Sequence, residues 1–129
     1  MPALLAALLL AAAPTGLSGD WITPNHGAIV RVGPCGTTIC GRIVRVLRAG
    51  APPNDANNPD PARRRRPLIG VAVLSGFTPS GAGATGGRAY DPESGRSYRS
   101  YLSLEGDGTL RVTGCVAFLC RSQTWTRAR

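Results

Sequence analysis

What most limits the architectures open to this chain is the spacing of its turn-formers. It holds 17 glycines and 11 prolines among 129 residues, and they cut the apolar residues into short bursts. A helical fold needs apolar positions recurring every 3.6 residues over several unbroken turns, whereas short alternating bursts bounded by turns describe strands. AIVRV (28–32) sets Ala28, Val30 and Val32 on one face and Ile29 and Arg31 on the other. GRIVRVL (41–47) repeats the pattern, with Arg42, Val44 and Val46 opposed to Ile43, Arg45 and Leu47, and PCGTTICG joins the two stretches as a hairpin connection. LIGVAVL (68–74) is more evenly apolar and reads as a more deeply covered strand. RAYD and SYRSYLSL flank the turn DPESG, EGDG (105–108) makes the next hairpin, and TLRVTGCVAF and RSQTWTR complete the run. The chain is therefore expected to be all-β, with seven or eight short antiparallel strands. A set of that size closes into a barrel or folds into a sandwich, because a flat sheet would leave adhesive edges.

The N-terminus reads differently. ALLAALLLAAA (3–13) is an uncharged apolar run followed by PTGLSG, the outline of a secretory signal peptide. As a helix it is too short to cross a bilayer core, so no integral membrane span is expected in the mature chain. Gly16 and Ser18 supply a small-x-small pattern that places the signal peptide at 1–18 and a single domain at 19–129, while a cut after Ala13 would set Pro14 beside the bond. Without a Cys before Cys35, that point offers no site for a lipid anchor. The expected location is periplasmic or secreted.

Export also decides how the 4 cysteines are read. Cys35 and Cys40, and likewise Cys115 and Cys120, are separated by four residues. In an oxidising compartment an even count points to disulfides. A structural zinc site would favour C-x2-C spacing and more than the single His26, and the C-x-x-C of a redox dithiol is absent, so no metal and no cofactor are expected. Pairing within each tight connection, Cys35 with Cys40 and Cys115 with Cys120, is favoured over crossed pairing between the two hairpins.

Read in order, GDW, GAIVRVGPCGTTICGRIV, NPDPARRRRPLIG, GGRAYDPESGRSY, GTLRVTGC and CRSQTWTR resemble the DUF2147 family of bacterial exported proteins over nearly all of the mature chain. The resemblance implies a lipocalin-like, up-and-down antiparallel barrel of about eight strands, and it brings no activity with it. Gly19-Asp20-Trp21 is similar to the G-x-W that opens many lipocalin barrels. There the Trp closes one end beneath an Arg of the last strand, which makes Trp21 and Arg127 the barrel-closing pair, with Arg121 as the other possible Arg.

The net charge is +8, from 15 basic residues against 7 acidic ones, and every basic residue is Arg. For an exported chain, and with no aromatic residues among Arg63–Arg66, nucleic acid is not an expected partner. Asp60 suits a helix N-cap, Pro61 the first helical position, and Pro67 forbids continuation, so a short helical turn with its arginines in water is expected here. Arg64 and Arg66 match the family's R-x-R-P pattern, and one of them could reach back to Asp55 or Asp60, or to an anionic ligand. The segment Arg48–Pro67 is too long for an ordinary hairpin connection and could fold over a barrel mouth, with Asn54, Asp55, Asn57, Asn58 and Asp60 as polar contacts.

Catalysis finds little support. His26 stands alone in a turn, no serine occupies a G-x-S-x-G elbow, and the carboxylates cluster in turns. SGAGATGG (80–87) lacks the Lys of a phosphate loop and reads as a joint between strands. The sequence is read as non-enzymatic. Its first reading is a binder of a small apolar molecule, with Arg64, Arg66, Tyr90, Tyr98 and Trp125 as candidate contacts. The alternative is an envelope-associated protein with a filled barrel whose arginines engage an anionic cell-surface polymer.

Overall fold

A computed structural model describes residues 16–129. Its strands are β1 (Gly19–Ile22), β2 (Ala28–Cys35), β3 (Thr38–Val46), β4 (Ala72–Ser80), β5 (Gly83–Asp91), β6 (Arg96–Leu104), β7 (Leu110–Val116) and β8 (Leu119–Arg127). Each pairs antiparallel with the next and β8 returns to β1, so the sheet is a closed eight-stranded barrel. Closure covers most of the edge that a small flat sheet would expose, the exception being the part of β8 beyond the end of β1.

Alternation along the strands fills the interior from both ends unequally. In one half, Trp21, Val32, Ile39, Leu74, Phe77, Leu102 and Leu110 pack into a continuous buried core. Each such side chain contributes about 1.5–3 kcal/mol on leaving water. Phe77 lies directly over Gly87, where any side chain would collide with its ring. That close approach, together with a register shift between Ala84 and Gly87 at which Gly86 takes φ 74°, explains why the glycine-rich stretch is largely strand β5 and not a joint between strands.

Leu17 reaches the same packed end and is buried there, and its carbonyl accepts the Trp21 indole N–H at 2.9 Å. The Arg127 guanidinium lies 4.1 Å from the Trp21 ring centroid and donates to the Ser18 and Gly16 carbonyls, at 3.0 Å each. Arg127 thus fills the position for which the sequence left Arg121 open; Arg121 lies towards the opposite end. Gly16–Ser18, assigned by sequence to the leader, are part of this closure. The remainder of the expected leader lies outside the described residues.

Two strand assignments shift. The register between β2 and β3 slips at Ile29/Val30, so Val30 faces Ile43 while Ile29 faces Arg45. This bulge breaks the strict alternation read from GRIVRVL: Arg42 and Arg45 are both exposed, and Ile43 and Val46 both face the core. In LIGVAVL only the end is strand. Leu68 and Val71 are buried from an irregular segment, and β4 starts at Ala72.

Both disulfides are intra-hairpin. Cys35–Cys40 staples the β2–β3 turn, with its Cα atoms 5.8 Å apart, and Cys115–Cys120 staples the β7–β8 turn, with its Cα atoms 4.0 Å apart.

Candidate functional site

The half of the barrel opposite Trp21 is not filled. A cavity of about 670 Å³ is lined by the apolar side chains Val30, Ile43, Val46, Val73, Val112 and Trp125. Tyr90 and Tyr98 share its wall, and Arg48, Glu93, Arg96, Arg121 and Gln123 stand around its opening. Trp125 is buried and donates its indole N–H to Gln123 Oε1 at 3.0 Å, so it offers the interior an apolar face with its polar atom already satisfied. β1 pairs with β8 only at Trp21↔Arg127 and Ile22↔Thr126. The rest of β8, Leu119–Trp125, has no partner in β1, and Leu119, Arg121, Gln123 and Trp125 line the cavity on that side together with Thr23, Pro24, Asn25 and Gly27.

The long β3–β4 connection contributes Arg48, Ala51 and Leu68 to the rim. It is held by an unusual centre. Asp55 is fully buried, and its carboxylate accepts from Tyr90 Oη at 2.6 Å, Asn58 Nδ2 at 2.8 Å and Arg66 Nε at 2.9 Å, with Arg66 Nη2 also at 2.9 Å. The backbone N–H of Asp55 donates to the Arg66 carbonyl, and Asn54 and Pro67 form an isolated antiparallel bridge, so the two ends of the connection are tied at this point. Arg64 Nε donates to the Asn58 carbonyl at 2.7 Å, while Asn57 Nδ2 donates to the Glu93 carbonyl at 2.9 Å and ties the connection to the β5–β6 turn.

Burial drives the Asp55 carboxyl pKa upward, but the donors Tyr90, Asn58 and Arg66 and the Arg66 charge outweigh it, and the group is held below the ordinary carboxylate value. The same contact acts on Tyr90. Burial first, then its bond to Asp55 and that negative charge, push the phenol up to about 12. Asp60 caps a single 3-10 turn, Pro61–Arg63, by accepting from the Ala62 N–H at 3.0 Å, and it also pairs with Arg63.

Outside the barrel, between this connection and strands β3–β5, lies a groove of about 630 Å³ edged by Arg42, Arg63, Arg66 and Arg88 with Asp60. Arg42 Nη1 is already bonded to the Gly70 carbonyl.

The structure thus separates the candidate residues. Tyr90, Tyr98 and Trp125 share the cavity, Arg66 reaches Asp55 and the outer groove, and Arg64 serves the connection's own backbone. Trp21 and Arg127 are at the far end. His26 is exposed in its turn. Among the described residues, no group of three or more His, Cys, Asp or Glu side chains is placed to hold a metal ion. Sequence reasoning missed Asp55 as the hub and, Trp125 apart, did not single out the apolar wall residues of the cavity.

A closed eight-stranded barrel, packed at one end with a Trp under an Arg and hollow at the other, belongs to the lipocalin-like class. A solved structure of this shape is the protein HP1028 from the human pathogen Helicobacter pylori, described as belonging to the lipocalin family. It superposes with a TM-score of 0.77 at 22% sequence identity, covering 89% of this chain and 84% of that one. At that identity the likeness is one of fold. The chain itself belongs to the DUF2147 family of uncharacterized proteins conserved in bacteria, whose family model matches residues 19–127. No curated protein matches it.

Proposed function

We propose that this protein is a non-catalytic carrier, working outside the cytosol, that holds a small, mainly apolar molecule in the open half of its barrel. The observation that carries the reading is the cavity. Its volume of about 670 Å³ falls within the range of small-molecule sites, and its apolar wall meets charged groups only near the opening. A ligand with an aliphatic or aromatic body and one polar end fits that distribution. The body would pack against Val30, Ile43, Val73, Val112 and Trp125, and the end would meet Arg121, Arg96 or Tyr90. The two disulfides suit an oxidising compartment such as the periplasm.

The test is native mass spectrometry after incubation with a lipid extract of bacterial envelopes. The wild type should retain a small-molecule mass that Ala89→Phe, which fills the cavity, abolishes without loss of β-sheet dichroism. Retention of nothing, or equal retention by Ala89→Phe, would remove the reading. Turnover of any substrate that depends on His26 would replace it with an enzymatic one.

A second reading is favoured by the outer groove. Four arginines around one depression suit an anionic polymer of the cell surface, bound by charge and released by salt. Arg88→Glu should then lower salt-sensitive binding to isolated envelopes while leaving the cavity's ligand in place.

A further inference from the structure

The tip of the β7–β8 hairpin is not explained by the barrel's packing, and although Val116 and Leu119 border the cavity, Phe118 at its apex does not. The strands pair one to one up to Val116↔Leu119, leaving Ala117 and Phe118 as the turn. Ala117 takes φ 54°, a left-handed conformation that Asn, Asp or Gly would adopt at less cost. The sequence Val-Ala-Phe-Leu instead puts bare apolar surface in water: Val116 is 62% exposed, Leu119 74% and Phe118 92%. Chains avoid such contiguous exposure unless something covers it. The Cys115–Cys120 bridge lies directly beneath and holds the tip in shape, so that little chain entropy remains to be lost when the tip is covered.

The surroundings say what covers it. The register places exposed Arg99 beside Cys115 and Arg121 beside Gly114, one step below the tip, and Arg96, Arg48 and Arg45 stand at the same end of the barrel. The acidic groups at this end are Asp91 and Glu93, with Asp55 and Asp60 on the β3–β4 connection; Asp55 is buried against Arg66 and Tyr90, and Asp60 caps its own turn and pairs with Arg63. Asp91 is occupied by its own turn, accepting from the Glu93 N–H and the Ser94 hydroxyl, and Glu93 is paired with Arg48 at 2.8 Å. An apolar point above a collar of arginines matches the layering of a bilayer surface, where acyl chains lie just below anionic phosphates.

We propose that the β7–β8 hairpin tip docks the protein reversibly onto a bilayer carrying anionic headgroups. Val116, Phe118 and Leu119 enter the interface, and Arg99 and Arg121 meet the phosphates. Leu119 and Arg121 also line the cavity, so docking brings that side of it against lipid. The inference rests on the tip and its collar, and it holds whether or not the barrel carries a ligand.

Co-sedimentation of the full exported chain with vesicles tests it, comparing pure phosphatidylcholine with mixtures containing phosphatidylglycerol. The wild type should bind phosphatidylglycerol vesicles at least about tenfold more strongly than phosphatidylcholine. Phe118→Asp should lower that binding by about tenfold or more with an unchanged dichroism spectrum, and Arg99→Glu with Arg121→Glu should abolish the lipid preference. Four results would overturn the proposal: no vesicle binding by the wild type, no preference for phosphatidylglycerol, binding untouched by Phe118→Asp, or self-association relieved by Phe118→Asp without lipid uptake. The last would assign the tip to contact between copies.

Discussion

Removing the Asp55 carboxylate should destabilise this protein more than any other single change to a charged residue. The Asp55→Ala variant leaves the buried Asn58 amide and the part-buried Tyr90 hydroxyl, now bonded at 2.8 and 2.6 Å, without this acceptor. Each orphaned donor costs about 1–3 kcal/mol. Arg66 adds less, because its side chain is 35% exposed and can turn towards water. The sum agrees with the roughly 3–5 kcal/mol lost when one partner of a buried ion pair is removed. Thermal unfolding followed by far-ultraviolet dichroism, with the disulfides intact, should show a midpoint lower by at least about 10 °C. In a double-mutant cycle, Asp55→Asn and Tyr90→Phe should couple by about 1.5–3 kcal/mol, the scale of a hydrogen bond to a charged group. The pH dependence has a definite sign. Since the folded Asp55 pKa lies below its unfolded value, its contribution is complete above about pH 4 and is lost as pH falls through the folded value. Asp55→Asn should lack that acid limb. A loss below about 1 kcal/mol for Asp55→Ala, or additive single mutants, would refute the view that this carboxylate organises the β3–β4 connection.

Tyr90 should give a late step in an absorbance titration, near pH 12, that is missing in Tyr90→Phe. Stability should fall as pH rises from 10 towards 12, because the unfolded phenol ionises first while burial and the Asp55 charge hold the folded one neutral. At the packed end, Arg127→Met should cost about 2 kcal/mol in urea unfolding, from the stacking on Trp21 and two partly exposed carbonyl bonds. Arg127→Lys should restore less than half of that, since a point charge cannot span both carbonyls. If the chain is cut on export, as its apolar N-terminal run leads one to expect, the intact mass of the product should still include Leu17, because the burial of Leu17 and its bond to Trp21 complete the barrel floor. A mass starting at Gly19 would show that the floor closes without it.

The parts of this fold legible in the sequence are those set by neighbours in the chain. Alternation in AIVRV, the DPESG and EGDG turns, Asp60 as a cap and the paired cysteine spacings each depend on a few adjacent residues, and the structure has all of them in place. The illegible parts depend on distant partners. Asp55 sits among Asn, Asp and Pro and looks like a turn-former; what makes it a hub is Tyr90, 35 residues away. The bulge in β3 leaves no mark in GRIVRVL, because Val44 suits either face. Between Cys115 and Cys120 a tight connection is expected, but no Gly, Asn or Pro marks Ala117-Phe118 as its turn. The only local sign was the Cys115–Cys120 spacing, which an intra-hairpin bridge can satisfy only if the chain reverses between them.

One short strand links these features. β1 ends at Ile22 because Pro24 follows and Asn25 and His26 then take φ 59° and 53°, a conformation that cannot continue a ladder. β8 is more than twice as long, so its first seven residues run on without a β1 partner. That stretch is paired with β7 on one side only, and an open edge of that length invites strand addition and is ordinarily shielded. Here it carries the exposed Arg121 and borders the cavity, so the same irregularity that leaves the barrel incompletely sewn also sets one side of that cavity. The hairpin that begins this open stretch bears the apolar tip. A β1 extended by replacing Pro24 and His26 with strand-forming residues would pair further along β8 and narrow the cavity on that side. Ligand retention and vesicle binding should then separate: the first falls, and the second, which needs only the tip and its collar, stays.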